Sequence, residues 1–437
     1  MESLPRILIV GRVAWNTSQS TLTGIFGGYP ADRLAYVCIE TQAPDFTHCT
    51  RHFQISEIAM IKKLFRWGTK TGRERLKEEF SNRKEDDEVQ SLERHESSVM
   101  GWVLQHRSVL LLYARDLLWR LGGWKSKELK CFIDDFKPDV LFFVGDPLPL
   151  MNRLQRHIKQ VAQLPSAIFM MDDIWSYKND HHYFMRYLLR QQVRKLIPVC
   201  QAHFAISEMM KREYDQEFGI NCQILTKGIP ESTTTPEFSN LHNPIRFVYT
   251  GKLLYGRERT LKEIAQALHS INKGAAGTKA ELHIYTQTNI TAELDKTLNI
   301  PGSSFVHPPV PYHEVAGILQ DSDIVVFTES LEKQQRYIAR LSFSTKITDY
   351  LAMGKCIFAV GDAGIAPIDY LRQEDAAVTC TSYTDIPQCI TRLASNPEII
   401  SEYAERAYKL GQKKHNAKLM DQRIKDTILS IAPKFIS

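Results

Sequence analysis

The 437-residue sequence lacks the motifs that define several large protein classes. Its eight cysteines include no CxxC pair, and Cys38 and Cys356 lie in short apolar runs typical of buried strands. This pattern argues against a zinc site or a disulfide framework and favours a reducing compartment. No run reaches the ~18 apolar residues of a membrane span. The N-terminus shows no signal peptide pattern, so we expect a cytoplasmic location.

Charge also excludes some partners. The formal net charge is +5, with no RNA-binding signature, zinc finger or basic tail, so nucleic acid is not an expected partner. Apolar residues make up 43% of the chain and charged residues 24%, as in ordinary folded proteins. The length predicts two or three domains.

Short apolar runs alternate with helical patterns in two blocks, separated by the polar, proline-bearing segment Glu231 to Pro244. This alternation predicts an α/β protein with two Rossmann-like, doubly wound parallel sheets. We predict an N-terminal domain over 1–235 with a helical insertion at about 55–135. A C-terminal domain over 244–410 follows, and a helix over 411–437 returns to the N-terminal domain. Ligands of such sheets bind beyond the carboxyl ends of the strands, so the cleft between the domains is the expected site.

The segment Ser342 to Val360 carries the most specific chemistry. Ser344 and Thr345 stand where a helix should begin, and Lys346 lies in its first turn. A helix N-terminus binds phosphate well, whereas a lysine there opposes the helix dipole unless an anion is bound. Asp349, one turn later, could accept hydrogen bonds from ribose hydroxyls. The alternative is an ordinary capped helix with a solvated Lys/Asp edge.

This segment, SFSTKITDYLAMGKCIFAV, resembles the donor-binding helix of GT-B glycosyltransferases that include the group 1, or family 4, retaining enzymes. Segments Ala205 to Ile229, Thr250 to Glu258 and Phe305 to Phe327 resemble further elements of that family, in the family's order. The resemblance implies two facing domains, a nucleotide-sugar bound between them, and sugar transfer with retention.

The resemblance also implies a diphosphate clamp at Lys252 and Arg257, next to Gly251, where the backbone can approach the ligand. The alternative is that both cations are solvated loop residues. Family members often carry an acidic residue eight positions before the donor-helix carboxylate, but Leu341 stands there. Glu329 and Glu332 are therefore the candidates for that acidic role.

In the N-terminal half, Gly27 and Gly28 resemble the loop that approaches the donor from the facing domain; a plain turn is the alternative. Asp173 is a candidate catalytic residue, because Asp172, Asp173 and Trp175 follow a predicted strand. An aspartate at a strand end can equally cap the next helix.

We expect no obligatory metal and no other cofactor. The DxD sequence at Asp321 to Asp323 precedes a predicted strand, which favours a turn. His181 and His182 have no third ligand at metal-site spacing.

Two stretches, Met60 to Lys77 and Leu110 to Trp124, combine aromatic and basic residues. This composition suits peripheral binding to an anionic membrane surface. The alternative is that these helices pack on the N-terminal domain with a solvated basic face.

The resemblance to these glycosyltransferases implies a hexosyltransferase-type enzyme. It would move a sugar from a nucleotide-diphosphate sugar to a saccharide or lipid-linked saccharide, in surface polysaccharide or glycan biosynthesis. One alternative is a sugar-nucleotide epimerase, which has the same two-domain fold but needs no acceptor. Another is a non-catalytic GT-B partner protein, because Leu341 stands where family members often carry an acidic residue.

Overall fold

A computed structural model describes residues 4–16, 20–40, 42–66, 68–81, 109–176, 183–231, 236–274 and 279–433. The chain divides into two compact units. The first unit is Met1–Thr226 with Met420–Ser437, and the second is Lys227–Leu419. The predicted linker is Glu231 to Pro244, of which 232–235 lie outside the described residues.

The first unit contains an eight-stranded sheet in the order β4-β3-β2-β1-β5-β6-β7-β8. All neighbouring strands run parallel except β3 and β4. Central strands such as β5, with the sequence VLFFV, are apolar and almost wholly buried, as expected of a parallel sheet covered on both faces. The strands are β1 Ile7–Val10, β2 Leu34–Cys38, β3 Arg51–Ile55, β4 Gly72–Arg75, β5 Val140–Val144, β6 Ser166–Met170, β7 Ala202–Ala205 and β8 Gln223–Ile224.

Helices connect these strands. Several begin at a serine whose hydroxyl accepts a hydrogen bond from the first turn, as Ser126 does from the backbone N–H of Leu129. The helices before the second unit are α1 Ser20–Phe26, α2 Glu57–Phe65, α3 Glu78–Ser81, α4 Val109–Arg120, α5 Lys127–Phe136, α6 Pro149–Ala162, α7 Tyr183–Leu196 and α8 Glu208–Phe218.

The region predicted as a helical insertion, about 55–135, contains helices α2, α3, α4 and α5, but it also contains strand β4. Strand β4 pairs antiparallel with β3, and its Gly72 lies so close to the ring of Phe53 that a Cβ there would clash. The sequence pattern missed β4 because its residues, GRER, are charged; Arg75 is buried through hydrogen bonds to Gln54 and Glu79.

The second unit contains a six-stranded parallel sheet in the order β11-β10-β9-β12-β13-β14. One apolar cluster packs against it, including Phe247, Leu268 and Phe358. The strands are β9 Ile245–Thr250, β10 Ala280–Tyr285, β11 Ser304–His307, β12 Ile324–Thr328, β13 Cys356–Val360 and β14 Val378–Cys380. The helices from here to the end of the chain are α9 Arg257–Lys273, α10 Ala292–Leu298, α11 Tyr312–Gln320, α12 Lys333–Ala339, α13 Thr345–Met353, α14 Ala366–Gln373, α15 Ile386–Ser395, α16 Pro397–Lys414 and α17 Ala417–Ile431.

The prediction of two doubly wound α/β domains is confirmed by these two sheets. Within the described part of the chain, no helix is both long and apolar enough to cross a membrane.

Candidate nucleotide-sugar site

In the sheet of the second unit, the order in which the chain adds strands reverses between the neighbouring strands β9 and β12. From β9 the chain proceeds to β10 and β11 on one side, and later to β12, β13 and β14 on the other. The loops that leave the carboxyl ends of β9 and β12 therefore diverge, which opens a crevice at that edge. Ligands of open α/β sheets bind at such switch points.

A cavity of about 70 Å³ lies at this switch point. This volume is far below the ~300–1,000 Å³ of a pocket that encloses a whole ligand, so it suits one part of a ligand, such as a phosphoryl group. The lining residues are Tyr249, Arg257, Val326, Phe327, Thr328, Glu329, Ser344, Lys346 and Tyr350.

Helix α13 begins at the cavity. Ser344 is its N-cap residue, and its side chain makes no capping hydrogen bond. The helix starts at Thr345 and ends at Gly354, whose φ of 62° is left-handed, as glycine permits. The start of α13 thus offers first-turn N–H groups and the positive end of the helix dipole to an anion.

Lys346 extends from the first turn of α13 to the end of β9. Its Nζ atom lies 2.6 Å from the carbonyl oxygen of Thr250 and 5.3 Å from the centre of the Tyr249 ring. A Cβ on Gly251, which has a φ of 152°, would lie only 2.1 Å from that Nζ, so the lysine needs glycine there. Burial, and next the charge of Arg257, lower the pKa of Lys346 to about 8, although Glu329 opposes the shift.

Arg257 is the first residue of α9 and reaches the same cavity. Its Nη2 and Nε atoms donate to the two carboxylate oxygens of Glu329, at 2.7 Å and 3.2 Å. The backbone N–H of Glu329 donates to the carbonyl of Val360 at 2.8 Å, which holds the main chain of Glu329 next to β13. Arg257 and Lys346 therefore share a single carboxylate among the lining residues, which leaves the cavity with an excess positive charge.

No family model matches the chain, and no curated protein matches its sequence. The structure is similar to Anabaena HepE in complex with UDP-glucose, with a TM-score of 0.60 and 10% identity, over 97% of this chain and 99% of that one. It is also similar to sucrose-phosphate synthase from Thermosynechococcus elongatus, with a TM-score of 0.57 and 8% identity, over 96% and 97% of the two chains. A third similar structure is a UDP-forming α,α-trehalose-phosphate synthase from Burkholderia xenovorans, with a TM-score of 0.57 and 9% identity, over 97% and 99%.

The chain has the GT-B fold. At these identities the likeness shows the fold alone, and it agrees with the two mainly parallel sheets and with the family that the donor-helix motif resembles.

In this GT-B chain, Asp349 lies one turn after Lys346 and outside the cavity lining. The Nζ atom of Lys227 lies 2.5 Å from one of its carboxylate oxygens, and both side chains are partly exposed.

Two other predicted site residues of the second unit, Lys252 and Glu332, lie at the surface. Lys252 has an exposed side chain, and its carbonyl accepts a hydrogen bond from the hydroxyl of Tyr249. The carboxylate of Glu332 lies 2.5 Å from Nη1 of Arg259, also at the surface.

The candidates in the first unit have structural surroundings. Asp173 is buried and accepts hydrogen bonds from the backbone N–H groups of Trp175 and Ser176 and from the hydroxyl of Tyr214. These hydrogen bonds hold a local turn over Asp173 to Ser176, whereas the next described helix, α7, begins at Tyr183. Gly27 and Gly28 form an exposed turn after α1, and a Cβ on Gly28 would lie 2.7 Å from the carboxylate of Asp421.

The structure describes one of the two sequence patterns that were considered for a metal. Asp323 accepts hydrogen bonds from the backbone N–H groups of His242 and Arg246, and Asp321 pairs with the Arg246 side chain. His181 and His182 lie outside the described residues. Among those that are described, no group of three or more potential metal ligands converges.

Sequence reasoning missed three lining residues of the site and one ion pair beside it. Tyr249 and Thr328 line the cavity because they lie at the ends of β9 and β12, and Tyr350 because it follows Lys346 by one helical turn. The helical spacing of Lys346 and Tyr350 was a usable signal. The contact between Lys227 and Asp349 had no local signal, because 122 positions separate the two residues.

Proposed function

We propose that this chain is a glycosyltransferase that takes a sugar from a nucleotide-diphosphate sugar. The observation that carries the proposal is the cavity at the β9/β12 switch point, where the described lining residues include two cations, Arg257 and Lys346, and one carboxylate, Glu329. The lowered pKa of Lys346 shows that holding its charge there is costly. A bound diphosphate would supply the missing negative charge, and the start of α13 would add to its binding.

The same groups suit the chemistry of transfer. The reaction breaks the bond between the anomeric carbon and a diphosphate oxygen, and negative charge develops on the departing nucleoside diphosphate. Fixed cations in a water-poor site stabilise that charge in the transition state. Arg257 is preorganised for this role by its two hydrogen bonds to Glu329. We therefore propose Glu329 as a positioning residue for Arg257, with Asp349 as the acceptor of ribose hydroxyl hydrogen bonds.

The donor is proposed to be a uridine nucleotide. HepE structures contain UDP or UDP-glucose, and the trehalose-phosphate synthase is UDP-forming, which supports placing these donors first. For the acceptor we propose a saccharide or lipid-linked saccharide of surface-glycan synthesis, at an anionic membrane face, and transfer with retention.

The test is a product analysis with radiolabelled nucleotide-sugars, run with and without saccharide and polyprenyl-phosphate-saccharide acceptors. We expect release of nucleoside diphosphate with transfer of label to one acceptor, and loss of both in Arg257→Gln. Isomerised nucleotide-sugar without acceptor would instead identify an epimerase. Nucleotide binding with no turnover on any acceptor would identify a non-catalytic partner.

A further inference from the structure

The first unit exposes an unusual set of large apolar side chains. In its described residues, most of the exposed ones lie on or beside three helices, α2, α4 and α7. Phe65 is 87% exposed, Tyr183 84% and Leu110 75%. The remaining members are Ile61, Leu64, Leu117, Leu121, Phe184 and Tyr187. We call these nine side chains the apolar face.

Contacts between the helices show that the apolar face belongs to one region. The ring of Tyr113 on α4 lies 5.9 Å from the ring of Phe184 on α7. Helix α2 adjoins the other end of α4, because the Glu57 carboxylate accepts hydrogen bonds from the side chains of Arg115 and Trp119. On α4, Leu110, Leu117 and Leu121 recur at helical spacing, so they lie on one side of it.

Not every aromatic residue of this region is available to a partner. Trp119 and Trp124 are fully buried, so the packing alternative holds for these two side chains. Trp67 lies outside the described residues. The apolar face therefore consists of aliphatic, phenylalanine and tyrosine side chains.

The charges on α7 are of one sign. The helix, YFMRYLLRQQVRKL, carries four basic residues and no acidic one. Arg186, Arg190 and Arg194 follow one another at four-residue spacing, where like charges repel. Among the described residues, Arg194 lies 3.7 Å from Glu217. Arg190 donates a hydrogen bond to the carbonyl of Trp175, and the guanidinium groups of Arg190 and Arg194 stack on the ring of Trp175.

Apolar and tyrosine side chains at a basic helical surface match the boundary of an anionic bilayer. Tyrosine places an apolar ring near the acyl chains and its hydroxyl near water, and basic residues attract acidic headgroups. We propose that α2, α4 and α7 together bind an anionic lipid surface, with α7 supplying an arginine row that contacts lipid phosphates. This deepens the membrane part of the proposed function by naming the surface that meets the lipid.

Vesicle flotation tests this assignment with the full chain at low salt. Vesicles would contain either phosphatidylcholine alone or equimolar phosphatidylcholine and phosphatidylglycerol. We expect flotation only with phosphatidylglycerol, and release at high salt, because ions screen the attraction. The variant Phe65→Ser/Tyr183→Ser/Tyr187→Ser should weaken vesicle binding by at least about tenfold, and Arg186→Gln/Arg190→Gln/Arg194→Gln by a similar factor.

Matched controls lie in the second unit. The variants Tyr337→Ser/Leu419→Ser and Lys279→Gln/Lys296→Gln/Lys413→Gln remove exposed apolar or basic side chains there, and both should float as the wild type does. Wild-type protein that ignores phosphatidylglycerol vesicles at low salt, or a serine variant that floats normally, would overturn the proposal. Circular dichroism and UDP binding, measured on the same samples, separate this failure from misfolding and from failure of the donor site.

Discussion

Replacing Lys346 with methionine should make the ligand-free protein more stable and at the same time abolish its tight binding of nucleotide. Methionine keeps most of the length and apolar volume of lysine but removes the charge. The prediction follows from the pKa of Lys346, which burial and Arg257 lower to about 8. Active sites commonly hold such destabilising charges for the sake of function.

The shift in the pKa of Lys346 sets the size of the expected change in stability. A fall from the ~10.4 of an unfolded lysine to about 8 corresponds to roughly 3 kcal/mol of differential stability between the charged and neutral forms. The lysine also donates to the carbonyl of Thr250, and losing that bond costs ~1–2 kcal/mol. We therefore expect a net gain of ~1–2 kcal/mol in the free energy of unfolding, or a few degrees in Tm.

The sign of the pH dependence gives a second check. Because the folded-state pKa of Lys346 is below the unfolded value, the unfolded chain binds more protons between pH 8 and about 10.4. Wild-type stability should therefore gain from this residue as pH rises through that window. The advantage of Lys346→Met over wild type should shrink accordingly.

Calorimetric unfolding of both proteins from pH 7 to 10, with UDP titrations alongside, measures these effects. UDP affinity should fall about ten- to hundredfold in Lys346→Met, the usual cost of losing a charged hydrogen-bond partner. Wild-type affinity should also weaken above pH 8, as Lys346 loses its proton. A variant that is less stable than wild type at pH 7 would show that the charge of Lys346 does not destabilise the fold, and one that binds UDP equally well would show that Lys346 does not bind the diphosphate.

Three further predictions concern neighbouring residues. Arg257→Gln should lower kcat strongly, whereas Lys252→Ala should lower it less, because the side chain of Lys252 lies outside the cavity lining. Steady-state kinetics of both variants measure this difference, and a larger loss of kcat in Lys252→Ala would place the diphosphate clamp at Lys252. Asp349→Asn should weaken the binding of UDP more than the binding of 2′,3′-dideoxy-UDP, which lacks the ribose hydroxyls. If calorimetry shows equal losses of affinity for the two nucleotides, Asp349 does not bind the ribose. Glu329→Gln should lower kcat while leaving UDP affinity equal or tighter, because it removes the anion that competes for Arg257; weaker UDP binding would contradict this.

Local signals in the sequence predicted the sheets but not the ion pairs. The short apolar runs of β1, β5, β9, β12 and β13 were readable because strands buried on both faces must be apolar. The start of α13 was readable from Ser344 and Thr345, and its end from Gly354. The pairing of Arg257 with Glu329 was not, since 72 positions separate them and only the adjacency of β9 and β12 brings them together.

The same limit applies to the surface of the first unit. Composition indicated a basic and aromatic region around α2 and α4, but it could not separate exposed from buried members. Phe65 and Trp119 look equivalent in sequence, yet Trp119 is buried and donates a hydrogen bond to Glu57, a residue 62 positions away. No pattern in the sequence indicated that α7 belongs to this surface, because only the fold brings α7 next to α4.

A crystal structure of the protein with saturating UDP would show where the diphosphate binds. We expect diphosphate oxygens within hydrogen-bonding distance of both the Arg257 guanidinium and the Lys346 ammonium, next to the first turn of α13. A nucleotide bound with its diphosphate elsewhere, or a cavity left without phosphate at saturating UDP, would show that Arg257 and Lys346 do not bind the donor diphosphate.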